Sequence, residues 1–220
     1  MTFAVIQHKK MNSKHPTIAF TIGMFNAVDG PSYCVYTQAY GMEMQVDDEW
    51  PLNILIMAPP HLVSSLTTEA DVASVGMIAG ASYTPGDGNY KQIADHGGRW
   101  ILCRPSDDLA GIAKQQLGVL LLIESPTQID LIAGLKELRS DNLMIAFKID
   151  SVSTLETAEK MATNIRTKLP ENCSLSKILV SGSFDHSNIV EYASIKNVSG
   201  LLLLDASFDA ILSLIEKMLG

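Results

Sequence analysis

The chain has 220 residues, of which 47% are hydrophobic and 18% are charged, so it can fill a large core and is expected to form one domain over residues 1–220. Its net charge of −8 disfavours binding to nucleic acid or to an anionic membrane, because both partners are themselves negative. Cys34, Cys103 and Cys173 are odd in number and far apart, which predicts neither a disulfide framework nor a zinc cluster and favours a cytoplasmic location.

Short apolar runs bounded by turn residues recur along the chain, and each is continuous rather than alternating, which is typical of parallel strands covered on both faces. They predict eight strands, at Phe3–Ile6, Asn53–Met57, Val75–Ala79, Trp100–Cys103, Val119–Ile123, Leu143–Phe147, Lys177–Val180 and Leu201–Leu204. None of these runs is long enough to be a membrane span or the apolar segment of a signal peptide.

Helical patterns lie between the strand candidates. The segment Ser151–Leu169 begins with a capping-box pattern, Ser153 to Glu156, and Asp209–Leu219 places its apolar residues on one helical face. Eight strands alternating with helices predict an α/β fold, and they favour a closed (β/α)8 TIM barrel over an open sheet, because a closed barrel leaves no strand edge unpaired.

The stretch 24–50 follows no single period and is interpreted as a partly helical insertion. It is rich in residue types found at adaptable interfaces, namely Tyr33, Tyr36, Tyr40, Met42 and Met44. Two interpretations remain open, since these side chains either form a protein-interaction surface or pack on the flank of the barrel.

From Ile178 to Ser207 the sequence resembles the last two strands of the triosephosphate isomerase family. That family has a Gly-Gly-Ser phosphate loop after the first of these strands and Gly-Gly-Ala-Ser after the second. The corresponding loops here read Ser181-Gly182-Ser183 and Leu204-Asp205-Ala206-Ser207. Shorter matches precede them in the same order, including Lys10-Met11-Asn12 against the family's Asn-Trp-Lys-Met-Asn after the first strand. The resemblance implies a barrel of that type with shortened loops on its C-terminal face.

The departures from the family pattern concern its reacting groups. The family has a Glu base after the sixth strand, and here Ala146-Phe147 is followed by Lys148. The family's electrophilic His follows the fourth strand, and the residues from Cys103 to Asp107 contain none. Ser153 and the predicted helix follow Lys148 too closely in the sequence to leave room for a mobile lid. The resemblance therefore implies a pseudoenzyme that has lost isomerase activity and keeps a binding or structural role.

The phosphate site implied by the resemblance is also altered. Gly182 and Ser183 could present backbone N–H groups to an anion, but Leu204 and Asp205 replace the two glycines of the last loop, and Asp205 would repel a phosphate. Lys10 and Lys148 are the remaining candidates for catalytic positions. Either these residues form a pocket for a small anionic ligand, or Lys10, Lys148 and Asp205 form an ion-pair cluster that fills a disused site.

One alternative is a diverged isomerase or lyase that acts on a small phosphorylated or carbonyl compound through Lys148 and Lys10, because a desolvated lysine is a base or a Schiff-base nucleophile. The five histidines are scattered without ligand spacing, so neither a metal nor a cofactor is expected. The segment 84–91, which corresponds to the family's dimer loop, is short. It predicts a monomer or a dimer of a different kind.

Overall fold

Parallel strands pair in chain order around a ring. The computed structural model describes residues 17–21, 53–64, 77–81, 89–150, 153–182, 184 and 188–204. Within these ranges each strand pairs with the next one along the chain, and the last pairs with the first, which closes a barrel. The strands are β1 Thr17–Thr21, β2 Asn53–Ala58, β3 Met77–Ala81, β4 Trp100–Cys103, β5 Gly118–Ile123, β6 Leu143–Lys148, β7 Lys177–Ser181 and β8 Gly200–Leu203.

Alternate residues of the strands face the inside and the outside of the ring. The inner set packs into one buried cluster, formed by Ala19, Leu55, Met57, Trp100, Leu102, Leu120, Met144, Ala146, Leu179 and Leu202. The outer set packs with the helices in a second and larger cluster, which includes Ile145, Phe147 and Val180 from the strands and Ala158 and Ile165 from a helix. Burial on both faces explains why the strands read as continuous apolar runs.

Glycines let the strands approach closely at the amino-terminal end of the ring. The ring of Trp100 lies over Gly118, so a Cβ at position 118 would overlap the indole. Gly200 has a φ of +149°, and a Cβ there would overlap the carbonyl oxygen of Thr17, its register partner on β1. An L-residue at position 200 would therefore be strained by its own backbone as well as by its neighbour.

Four α-helices lie entirely within the described residues: α1 Tyr90–Asp95, α2 Leu109–Lys114, α3 Leu155–Lys168 and α4 Ile189–Ala193; residues 63–64 are also helical. Short 3-10 helices occur at Pro60–Leu62, Pro126–Ile132 and Glu171–Cys173. Side chains cap α1, α2 and α3, where Asn89, Asp108 and Thr154 each accept a hydrogen bond from a backbone N–H of the first turn. The longest of these helices has 14 residues, and none in the described ranges is long and apolar enough to cross a bilayer.

The prediction of an α/β fold with the TIM-like arrangement is confirmed. The first strand of the ring is Thr17–Thr21 and not the predicted Phe3–Ile6, which lies outside the described residues. The third strand begins two residues later than expected, at Met77. The helix predicted at Ser151–Leu169 is present as α3, but its cap is Thr154, and the Ser153 hydroxyl instead accepts a hydrogen bond from the Asp150 N–H.

Two further predictions lie outside the described residues. They are the C-terminal helix at Asp209–Leu219 and the insertion at 24–50. Because β1 ends at Thr21 and β2 begins at Asn53, the stretch 24–50 belongs to the connection between those two strands.

Candidate functional site

Lys148 is the last residue of β6, at the carboxyl ends of the strands, where TIM barrels carry their sites. It continues the inward-facing series of Met144 and Ala146, and its side chain is exposed. No ion pair among the described residues includes Lys148. The chain passes from Lys148 to the first residue of α3, Leu155, within one short connection, so this position has little loop to cover it.

Ser181 ends β7 and is the register partner of Lys148 on the neighbouring strand. Its side chain is fully buried, and its hydroxyl has no hydrogen-bond partner among the residues that the structure describes. Buried hydroxyls are nearly always bonded, because an unsatisfied one costs about 1–3 kcal/mol. Ser181 therefore has an unused hydrogen-bonding capacity directly beside Lys148.

Gly182 follows Ser181 and is half-buried. A Cβ at this position would lie 2.7 Å from Cγ1 of Ile149, in the connection that leaves β6. Close packing against Ile149 is thus sufficient reason for a glycine here, and an anion is not needed to explain it.

The end of β4 holds a buried thiol followed by an exposed cation. Cys103 is fully buried, and burial raises the pKa of its thiol far above the usual value, with Asp107 adding to the shift. The thiol donates to the Ile101 carbonyl and is unsuited to nucleophilic chemistry. Arg104, the next residue, is exposed, and its N–H donates to Oδ2 of Asp107 at 2.7 Å. This bond holds the turn that starts α2 and fixes the backbone of Arg104.

A second lysine lies at the opposite end of the barrel. Lys177 begins β7 on the inward-facing side, and its Nζ donates to Oγ1 of Thr17 at 2.9 Å. Burial lowers the pKa of Lys177 to about 8. This group is at the floor of the barrel, away from the rim where Lys148 and Ser181 lie.

The structure describes only some of the predicted site residues. Lys148 and Gly182 lie on the carboxyl-end rim as expected, whereas Lys10, Ser183 and Asp205 lie outside the described residues. The prediction that Lys10 follows the first strand is wrong, because Lys10 precedes β1, which begins at Thr17.

Two residues that the sequence did not single out share the rim with Lys148. Arg104 and Glu124 are the first residues after β4 and β5, two positions beyond Leu102 and Leu122, which pack in the inner cluster, and both side chains are exposed. Counting alternate residues onward from the inner cluster would have found both.

The described residues offer no second candidate site of comparable quality. Among them there is no group of three His, Cys, Asp or Glu side chains that could hold a metal ion. A cavity of about 400 Å³ on the surface of α3 is lined by an exposed ion pair, Glu156 with Lys160, and by Glu159, Thr163 and Asn164. Helical i, i+4 pairs of this kind are common on solvated helix surfaces.

The ring of parallel strands and its rim define an α/β protein with a TIM-like fold. No model of a known protein family matches the chain, and no curated protein matches it. Among solved structures it is similar to the triosephosphate isomerase from Bartonella henselae, with a TM-score of 0.70 and 18% sequence identity. The match covers 94% of this chain and 100% of that chain. At this identity the likeness establishes the fold and leaves the activity to be argued from the residues.

Proposed function

We propose that this chain is a triosephosphate isomerase-like barrel without isomerase activity, which serves to bind a small anionic ligand at its carboxyl-end rim. The observation that carries the proposal is Lys148. In the family pattern a Glu base follows the sixth strand, and here the last residue of β6 is an exposed lysine with no described ion-pair partner. An ammonium group cannot abstract a proton.

Two other features support the loss of activity. The residue after β4 is Arg104 rather than a histidine. The residues between Lys148 and Leu155 leave too little chain for a lid that excludes water. In this proposal the molecule is a complete (β/α)8 barrel of the cytoplasm whose loops on the C-terminal face are shortened.

The test is a coupled assay with glyceraldehyde 3-phosphate, in which an authentic triosephosphate isomerase serves as the positive control. We expect no turnover above buffer. A Lys148→Met variant measured in parallel identifies trace contamination, because contaminating activity persists in both preparations. Turnover that is present in the wild type and lost in the Lys148→Met variant would overturn the proposal.

The lysine-dependent alternative, a lyase or isomerase acting through a Schiff base, is disfavoured by the exposure of Lys148, since lysine nucleophiles are activated by desolvation. Borohydride trapping with small keto and aldehyde phosphates tests it. We expect no adduct on Lys148 by peptide mass spectrometry, and labelling there would establish a covalent activity.

The oligomeric state forms a separate part of the proposal. β3 ends at Ala81 and α1 begins at Tyr90, so the connection that corresponds to the family's dimer loop is short. We propose a monomer, or a dimer built on another surface such as the stretch 24–50. Light scattering after gel filtration measures the mass, and cross-links from residues 85–90 into a second copy would contradict this part.

A further inference from the structure

The connection between β6 and α3 is fixed to the end of the neighbouring strand β7. Ile149, the first residue after β6, donates its backbone N–H to the Ser181 carbonyl at 2.8 Å. Its side chain packs against Gly182, where a Cβ would lie 2.7 Å from Cγ1 of Ile149. The connection therefore leaves β6 in close contact with the residues that end β7.

The same connection is tied a second time, close to the start of α3. The hydroxyl of Tyr192, in α4, donates to the backbone carbonyl of Ser153 at 2.9 Å. Two further bonds join Ser153 to Asp150, because the Asp150 N–H donates to Oγ of Ser153 at 3.2 Å and the Ser153 N–H donates to the Asp150 carbonyl at 3.0 Å. The bond from α4 therefore also restrains Asp150, two residues after Lys148.

Packing fixes the side chain that makes this second tie. The side chain of Tyr192 is only 7% exposed, and its ring meets the ring of Phe184 edge to face, with 5.5 Å between the centroids. This arrangement is favourable for a pair of aromatic rings. Phe184 lies between β7 and α4, so the bond from Tyr192 to Ser153 joins the connection after β6 to the connection after β7.

These anchoring residues lie on the outer side of the ring of strands. Ile149 and Tyr192 belong to the outer buried cluster, and Phe184 packs against it. The exposed Lys148, in contrast, continues the inward-facing series of β6. The connection is thus held against the helical layer and away from the open end of the barrel.

We propose that Tyr192 and Phe184 form a latch, which holds the connection after β6 in a fixed position at the side of the open end. The latch joins Ile149, Asp150 and Ser153 to α4 as one local unit, and this unit opens without unfolding of the barrel. The inference goes beyond the proposed function, because it concerns how the rim moves and is independent of turnover and of ligand binding.

Amide hydrogen exchange can measure the opening of this unit. The Asp150 and Ser153 N–H groups both donate within the connection, so their exchange reports its release. The Ile145 and Phe147 amides lie in β6, which pairs with a strand on each side, and their exchange reports unfolding of the barrel. In the wild type we expect the first pair of amides to exchange faster than the second.

The experiment compares the exchange of the full-length wild type and Tyr192→Phe by NMR. Phenylalanine keeps the ring and removes only the hydroxyl that bonds to Ser153. The net contribution of one hydrogen bond corresponds to a factor of about five in the opening equilibrium, so the Asp150 and Ser153 amides should exchange about fivefold faster in the variant. Phe184→Leu should accelerate the same two amides, because it loosens the ring of Tyr192.

A matched control is the Ser140 hydroxyl, which also bonds to backbone across two connections. It donates to the Asn172 carbonyl at 3.3 Å and accepts from the Leu175 N–H at 3.0 Å. Ser140→Ala should accelerate exchange at Leu175 and leave Asp150 and Ser153 unchanged, whereas Tyr192→Phe should leave Leu175 unchanged. The dispersion of the amide spectrum shows that each variant is folded.

Three results would overturn the latch. They are equal exchange of the Asp150 and Ser153 amides in the wild type and Tyr192→Phe, an acceleration that extends equally to Leu175, and wild-type exchange of these two amides that is as slow as that of β6. Each of them would leave the inactive-barrel proposal standing. Conversely, isomerase turnover that is lost in Lys148→Met would remove the proposed function and leave the latch untouched.

Discussion

Replacing Lys177 with methionine should change how stability depends on pH. Burial lowers the pKa of Lys177 from its ordinary value of 10.5 to about 8 in the folded chain. Below pH 8 the amine is charged in both states, and burying that charge destabilises the fold. Between pH 8 and 10.5 the unfolded chain binds the proton and the folded chain does not. The free energy of unfolding therefore gains a rising contribution in this window.

The magnitude follows from the shift. Each pKa unit corresponds to about 1.4 kcal/mol, so the full difference would be about 3 kcal/mol. Lys177 is only half-buried, and solvent screening reduces the effect to on the order of 1–2 kcal/mol. Methionine has a similar length and no charge, so it removes the titration and also the hydrogen bond to Thr17. The loss of that bond does not vary with pH in the same way, which makes the pH dependence the informative quantity.

The assay is urea unfolding of the wild type and Lys177→Met at several pH values from 7 to 10.5. The stability of the wild type relative to the variant should rise by about 1–2 kcal/mol across this range. Burial of the Cys103 thiol raises its pKa, and this contributes stability that is lost as pH rises above about 9. Both proteins contain Cys103, so its effect cancels in the difference. Lys136→Met, at an exposed lysine, should show no such trend, and a flat difference for Lys177→Met would refute the reasoning.

Three further changes have expected outcomes. Gly200→Ala should destabilise the fold by at least about 3 kcal/mol in urea unfolding, because the new Cβ overlaps the Thr17 carbonyl and a φ of +149° is strained for alanine. A loss of stability under about 1 kcal/mol would contradict the observed pairing of β8 with β1. Gly118→Ala should lower the free energy of unfolding by about 1–3 kcal/mol, because the new Cβ displaces the indole of Trp100. In a Trp100→Leu background the same change should lower it by less, and an equal decrease in both backgrounds would refute the contact. Lys148→Glu should not restore turnover of glyceraldehyde 3-phosphate. General acid–base catalysis contributes a rate enhancement of only about 10²- to 10⁴-fold, and neither a histidine after β4 nor a lid accompanies the new carboxylate. Measurable turnover in this variant would show that more of the family's site is retained than we propose.

The sequence predicts most of the ring because its strands are buried on both faces. β4 is found with both its ends correct, and six other strands are found within two residues. β1 is missed because it begins and ends with threonine. Thr17 is nevertheless fully buried and accepts a hydrogen bond from Lys177, a residue 160 positions away. A hydrogen bond between residues so far apart in the sequence cannot be recognised from a local hydrophobic pattern.

The rim is predictable in part for a related reason. Lys148 follows an apolar strand directly, so its position at the carboxyl end can be read from the sequence. The register between β6 and β7 brings Ser181 beside Lys148, and this register cannot be predicted from the sequence alone. Whether the Ser181 hydroxyl finds a hydrogen-bond partner depends on all the residues around it, and no residue in the described ranges provides one. The feature that most specifically suggests a ligand is therefore visible only in the folded chain.

The rim and the floor of the barrel should act as independent units. On β7 the inward-facing series runs from Lys177 through Leu179 to Ser181, and on β6 it runs through Ala146 to Lys148, so an apolar layer separates the two lysines. Four residues of strand span about 13 Å, which exceeds the screening length of about 8 Å at physiological salt. The effects of Lys148→Gln and Lys177→Met on unfolding should therefore add, to within about 0.5 kcal/mol. A larger coupling in the double variant would mean that charge at the floor reaches the rim, and ligand binding at the rim would then depend on the protonation of Lys177.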